Sequence, residues 1–118
     1  MNKNEINITV TLDDNKIPES IEWSAADTDG QKSGKAMMLA LWDGEAQNTL
    51  HIDLWTKKMM VDEMKQFCYQ NLVSMADTLE RATGEKDAAK AMRNFAKDFG
   101  EKMKVLATGP TGSAVNYR

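Results

Sequence analysis

The sequence predicts an α+β fold, in which antiparallel strands come first and two helices follow. Apolar and polar residues alternate in three segments within residues 1–55, which is the period of strands with one solvated face. From about residue 60, apolar residues recur every three or four positions, which is the period of helices. The charge changes with the period, because residues 1–55 carry ten acids and four bases whereas residues 56–118 carry eight acids and eleven bases.

Four strands are predicted, and the short polar turns between them favour a four-stranded antiparallel meander. Residues 26–35 are rich in Asp, Gly and Ser and predict a loop. The third strand is apolar on both faces, which predicts a central strand covered on both sides or one with an unusually wide interface. In the fourth strand, Leu50, Ile52 and Leu54 are expected to point inward. The four strands span Ile6–Leu12, Ser20–Ala25, Lys35–Trp42 and Thr49–Trp55.

Two helices are predicted in the second half, joined by a short connection that makes them antiparallel neighbours. The first runs from about Met60 to Thr83, where Gly84 supplies a C-terminal stop, and Asp87 can cap the second. We expect this hairpin to pack on one face of the sheet, since no other apolar surface is available. The apolar stripes are Met64, Cys68, Leu72, Met75 and Leu79 in the first helix, and Ala88, Met92, Phe95, Phe99, Met103 and Leu106 in the second.

Length and composition limit the organisation and the function class. The chain has 118 residues, so we expect a single domain over residues 1–107 and a flexible tail over residues 108–118. The pI of about 5.1 and the interspersed charges argue against nucleic acid as a partner.

Sequence signals also bear on the compartment. The first residues lack the basic start and apolar run of a secretory signal, and the longest apolar run, residues 36–42, is far too short to span a membrane. One cysteine, Cys68, excludes an intrachain disulfide. We therefore expect a cytoplasmic protein without membrane insertion.

Residues with catalytic or metal-binding chemistry do not form a recognisable set in the sequence. The single histidine, His51, shares a strand face with Asp53, which is half of an acid–base arrangement without a nucleophile. One histidine with scattered acids does not specify a metal site. The segment of residues 30–35 is too short between its glycines for a phosphate-binding loop and precedes a strand. No catalytic, cofactor-binding or metal-ligating residues are therefore predicted.

The candidate partner-binding residues are Trp55, Asp53 and His51 on the outer face of the fourth strand, with Trp42 second. Aromatic side chains on an otherwise polar face are typical of protein interfaces. The alternative is that these tryptophans are partly buried against loops or the first helix. The nine methionines fit a core, and they could also line a pocket between sheet and helices in a carrier of a small apolar ligand.

Several segments resemble the gliding-motility protein GldC family over roughly residues 5–106. The segments are IEWSAAD at residues 21–27, LHIDLWTK at 50–57, VDEMK at 61–65, LVSMADTLERATG at 72–84 and MRNF at 92–95. The run from residue 52 to residue 84 is the most specific part of the resemblance.

The resemblance implies a small accessory protein of bacterial gliding motility, of a kind found in Bacteroidetes. Catalytic residues and cofactors are not known for the family, so none is transferred to this chain. The expected function is therefore non-enzymatic. The expected partner is another protein of the motility machinery or a homodimer mate, with no known small-molecule substrate.

Overall fold

The structure is a computed structural model that describes residues 2–26 and 30–105. The predicted α+β class is confirmed. The chain divides into a strand unit, residues 1–60, and a helical unit, residues 61–118. The elements are β1 (Ile6–Leu12), β2 (Pro18–Ala25), β3 (Lys32–Gly34), β4 (Ala36–Asp43), β5 (Asn48–Trp55), α1 (Val61–Thr83) and α2 (Lys86–Lys102).

Two predictions about organisation stay predictions, namely the single domain over residues 1–107 and the packing of the helical hairpin on a sheet face. The predicted tail over residues 108–118 lies outside the described residues.

The strand unit contains two small sheets instead of the predicted four-stranded one. β2 pairs antiparallel with both β1 and β3, and β4 pairs antiparallel with β5. The chain bends at Lys35, between β3 and β4, so the predicted third strand begins one residue later, at Ala36, and β3 precedes the bend. If β2 continued to pair beyond Gly34 in the register Ile21↔Gly34, Pro18 would lie opposite Met37. Proline has no backbone N–H to donate, so it cannot extend the hydrogen-bonded ladder.

Two details of the strand predictions are therefore wrong. The polar loop predicted over residues 26–35 contains β3, whose composition gives no strand signal. The predicted central strand, β4, is hydrogen-bonded to β5 alone among the described strands.

The turn between β1 and β2 is organised by the carboxylate of Asp13. Its Oδ1 accepts the backbone N–H groups of Asn15, at 2.8 Å, and Ile17, at 3.0 Å. Its Oδ2 pairs with the ammonium of Lys57, which follows β5. The hydrogen bond with Lys57 is the main cause of the lowered pKa of Asp13, and it raises the pKa of Lys57. The ion pair thereby joins the first turn of the unit to the end of its last strand.

In the helical unit, the two ends of α1 follow the predicted signals closely, whereas the start of α2 does not. Asp62 and Glu63 occupy the first turn of α1, where acids interact favourably with the helix dipole. Gly84 adopts a φ of +73° and donates its N–H to the carbonyl of Glu80 at 2.8 Å, as at a glycine C-terminal stop. The N-cap of α2 is Glu85 and not Asp87, which lies in the first helical turn instead.

The buried residues of the helical unit are small ones, and one arginine links its two helices. The predicted stripes are wrong in part, because Ala88 is exposed, Phe95 is 60% exposed and Met75 of α1 is 57% exposed, whereas Met92 and Phe99 are half-buried. A line of small side chains lets the two backbones approach closely, which a phenylalanine in that line would prevent. Arg93 extends from the same side of α2 and donates to Asp77 at 2.8 Å and to Glu80 at 2.7 Å on α1. The buried small residues are Ala76 in α1 and Ala89, Ala96 and Gly100 in α2.

Candidate functional site

The candidate residues all lie on the β4–β5 hairpin, whose register defines two faces. Trp42 pairs with Thr49 near the turn, and Ala36 pairs with Trp55 at the other end. Directly opposite residues of an antiparallel pair share a face. The tryptophan face consists of Ala36, Met38, Ala40, Trp42, Thr49, His51, Asp53 and Trp55. The aliphatic face consists of Met37, Leu39, Leu41, Leu50, Ile52 and Leu54, together with Asp43 and Asn48 beside the turn.

The two tryptophans of this face are among the most exposed large side chains of the described residues. Trp42 is 68% exposed and Trp55 is 60% exposed. The register separates them by six residues along the hairpin, or roughly 20 Å at the rise of a strand. They therefore form two separate aromatic positions at opposite ends of one face.

His51 and Asp53 lie between the two tryptophans on β5. The Nδ1 of His51 is 4.0 Å from the Oδ2 of Asp53, which is too long for a hydrogen bond, and both side chains are about half exposed or more. The pair therefore lies on the surface without the close contact that an acid–base pair in a catalytic site makes. It adds polar and chargeable groups to the centre of the tryptophan face.

The turn between β4 and β5 fixes the register at one end of the face. Asp43 Oδ1 accepts the N–H groups of Glu45 at 3.0 Å and Ala46 at 3.2 Å, and the carbonyl of Asp43 accepts the N–H of Gln47 at 2.8 Å. Gln47 takes a φ of +54°, which closes the turn. A slip by one residue would move Trp42 to the opposite face, so this turn determines where Trp42 lies.

Thr56 fixes the register at the other end. Its backbone N–H donates to the carbonyl of Lys35 at 2.8 Å, and its Oγ1 donates to the same carbonyl at 3.0 Å. Thr56 is only 3% exposed, and among the described residues it is the polar residue classed as buried. Its neighbour Lys57 pairs with Asp13. These contacts hold Trp55 opposite Ala36 without using its indole ring.

The aliphatic face differs from its prediction in exposure. Leu50, Ile52 and Leu54 share one face, as predicted, but Leu50 is 55% exposed and Ile52 is 41% exposed, while Leu54 is half-buried. Across the hairpin, Leu41 is 54% exposed. Contiguous exposed apolar surface of this kind is characteristic of interaction sites.

Met38 also lies on the tryptophan face and is 45% exposed. It was not predicted as a site residue from the sequence. A count in steps of two back from Trp42 would have placed it there. The apolar run on both faces of β4 hid that alternation.

Three further features of the described residues bear on a metal site, a reactive thiol and a ligand pocket. They hold no group of three or more His, Cys, Asp or Glu side chains placed to bind a metal ion. Cys68 is half-buried on α1. An open depression at the paired ends of β1 and β2 has a lining that is about equally polar and apolar and includes Lys3, Glu5 and Ser24. Within the described part of the chain, neither helix has the length and apolar composition required to cross a bilayer.

Fold and surface define a small α+β protein with an exposed aromatic sheet face. The model of a family described as gliding motility-associated protein GldC-like matches residues 18–105, which includes β2 to β5 and both helices. The chain belongs to this GldC-like family, which is associated with gliding motility and is not a known enzyme family. No curated protein and no solved structure matches the chain.

Proposed function

We propose that this chain is a cytoplasmic, non-enzymatic accessory protein of gliding motility that acts by binding another protein of the motility machinery through its tryptophan face. The observation that carries the proposal is the exposure of Trp42 and Trp55, at 68% and 60%, on one face of the β4–β5 hairpin. The GldC-like family supplies the motility association.

Physical chemistry supports a protein as the ligand of this face. Tryptophan is the residue type most enriched at the energetic centres of interfaces, because it buries a large apolar area and keeps an N–H donor. His51 and Asp53 between the two rings add polar specificity to apolar contact. The surface is a two-stranded hairpin whose register is fixed at both ends, which suits a macromolecular partner better than a small molecule that needs a concave pocket.

Complementation tests the proposal in a gliding bacterium from which the gene for this protein has been deleted. The double variant Trp42→Ala/Trp55→Ala is expected to lose most of the gliding restored by the wild-type gene, at equal protein level. The matched control is Phe95→Ala, because Phe95 is equally exposed, at 60%, but lies on α2. Cell fractionation of the complemented strain tests the proposed cytoplasmic location.

The outcome that contradicts the proposal is full gliding with the double tryptophan variant. Equal loss with Phe95→Ala would also contradict it, because the effect would then not be specific to the tryptophan face.

A further inference from the structure

The outer edge of β5 is a long strand edge without the usual protection. β5 pairs with β4 over eight residues in unbroken register, and among the described strands it has no second neighbour. Natural edge strands carry lysine, proline or a bulge that prevents further pairing. β5 has none of these and carries a single charged side chain, Asp53, whereas β1, another edge strand, has a bulge between Thr11 and Leu12.

The hydrogen bond of Thr56 identifies the backbone groups on this edge. Because the N–H of Thr56 donates to Lys35, residues 35 and 56 form a hydrogen-bonded pair of the β4–β5 ladder. Such pairs alternate along antiparallel strands, so every second residue of β5 directs its N–H and C=O towards β4 and the others direct theirs outward. The outward-directed residues are Thr49, His51, Asp53 and Trp55.

Hydrogen-bonding complementarity between an imidazole and a carboxylate selects a partner for this edge. If a second β5 pairs antiparallel with the first about a two-fold axis at Ile52, His51 of each copy lies opposite Asp53 of the other. A two-fold axis at Asp53 would instead oppose two carboxylates, which is unfavourable. The axis at Ile52 also makes residues 51 and 53 a hydrogen-bonded pair, consistent with their outward backbone groups.

The same register unites the exposed apolar side chains. Leu50 lies opposite Leu54 of the other copy, and the two Ile52 side chains meet at the axis. Thr49 lies opposite Trp55 of the other copy, so a single cross-sheet row contains Trp42, Thr49 and that second Trp55. Two tryptophans separated by roughly 20 Å in one chain thus come within about 10 Å, two strand spacings, in the pair.

We propose that this protein forms a two-fold homodimer in which the two β5 edges pair antiparallel about Ile52, giving a continuous four-stranded sheet. The occupant of the edge is a second copy of this chain, because β5 complements itself in three ways. The His51 imidazole faces the Asp53 carboxylate, the apolar side chains face one another, and the outward backbone groups of the two strands match. The proposal deepens the proposed function and rests on it in taking the tryptophan face as an interaction surface, because dimerisation joins two such faces into one.

A charge exchange tests the register with purified full-length protein in analytical ultracentrifugation. His51→Glu places two carboxylates opposite each other twice per dimer. Asp53→Lys removes the carboxylate that faces His51 and places a lysine on the strand edge, which opposes edge pairing. Each variant alone is expected to weaken dimerisation by about tenfold or more. An equimolar mixture is expected to recover dimer, because the carboxylate introduced at position 51 of one chain then faces the ammonium introduced at position 53 of the other. Circular dichroism of each variant verifies that it folds.

Disulfide trapping tests the axis independently, in a Cys68→Ser background. Ile52→Cys is expected to cross-link on mild oxidation, because residues on the axis form a non-hydrogen-bonded pair with Cα atoms about 4.5 Å apart. The matched control is Leu50→Cys, because the two copies of residue 50 lie about 13 Å apart in the same register and cannot be bridged.

Three results would overturn the homodimer. They are a monomeric wild-type protein at high micromolar concentration, a mixture of the charge variants that recovers no dimer, and equal cross-linking of Ile52→Cys and Leu50→Cys. These measurements use the purified chain alone, whereas the gliding assay reports binding to the motility machinery. Failure of the homodimer is therefore distinguishable from failure of the proposed function.

Discussion

Thr56 offers a quantitative test of how the tryptophan face is positioned. Its hydroxyl donates to the carbonyl of Lys35 at 3.0 Å, and the residue is 3% exposed. Thr56→Val keeps the shape and removes this hydrogen bond, which costs about 1 kcal/mol. Thr56→Ser keeps the hydrogen bond and removes one buried methyl group, which costs about 0.8 kcal/mol. Thr56→Ala removes both groups, so its cost is expected to be near the sum, about 2 kcal/mol.

Tryptophan fluorescence during urea unfolding measures these stability changes in the strand unit, which contains Thr56. All three tryptophans of the chain lie within residues 1–60, so their emission reports on the strand unit, while circular dichroism at 222 nm reports on the helices. With a urea dependence of roughly 1–2 kcal/mol per M, Thr56→Val lowers the fluorescence midpoint by about 0.5–1 M.

The control for this series is Thr9→Val, because Thr9 is exposed on β1 and its substitution is expected to change stability by less than about 0.5 kcal/mol. A Thr56→Val protein as stable as the wild type would refute the reasoning, since the hydroxyl would then contribute nothing to holding the end of β5.

Three further predictions concern the other contacts of the two units. Arg93→Met is expected to lower the thermal midpoint of helix unfolding, measured by circular dichroism at 222 nm, because it removes the ion pairs from Arg93 to Asp77 and Glu80 on α1. Ala96→Leu is expected to cost about 1–3 kcal/mol by overpacking the helix interface, with the exposed Phe95→Leu as its near-neutral control. Lys57→Met is expected to destabilise the strand unit at neutral pH. Because the ion pair lowers the pKa of Asp13 and raises that of Lys57, its contribution is fully present between about pH 4 and about pH 10. It is lost as pH falls through the pKa of Asp13 or rises through that of Lys57, and stability curves of both proteins against pH check this.

Much of the fold follows directly from periodicity and end signals. The alternation in Ile6–Leu12 predicts β1 to the residue, and Gly84 marks the end of α1. The short strand β3 was missed because Lys32, Ser33 and Gly34 have no apolar alternation, and their pairing depends on β2. The bend at Lys35 was missed because it depends on where pairing with β2 stops, which a single segment does not reveal.

The candidate site was predictable as a set of residues but not as a surface. Period two places His51, Asp53 and Trp55 on one face of β5. The addition of Trp42 to that face depends on the register, which the Asp43 turn and the Thr56 hydrogen bond set through backbone geometry. The exposure of both faces of the hairpin depends on strand order, which periodicity does not encode.

Site-specific photocrosslinking in gliding cells tests the central claim most directly, with a benzophenone amino acid replacing Trp55. The account predicts a covalent adduct with another protein of the motility machinery from position 55, and none from the equally exposed position of Phe95 on α2. Absence of any adduct with a motility protein from position 55, or the same adduct from both positions, would contradict the claim that the tryptophan face binds the partner.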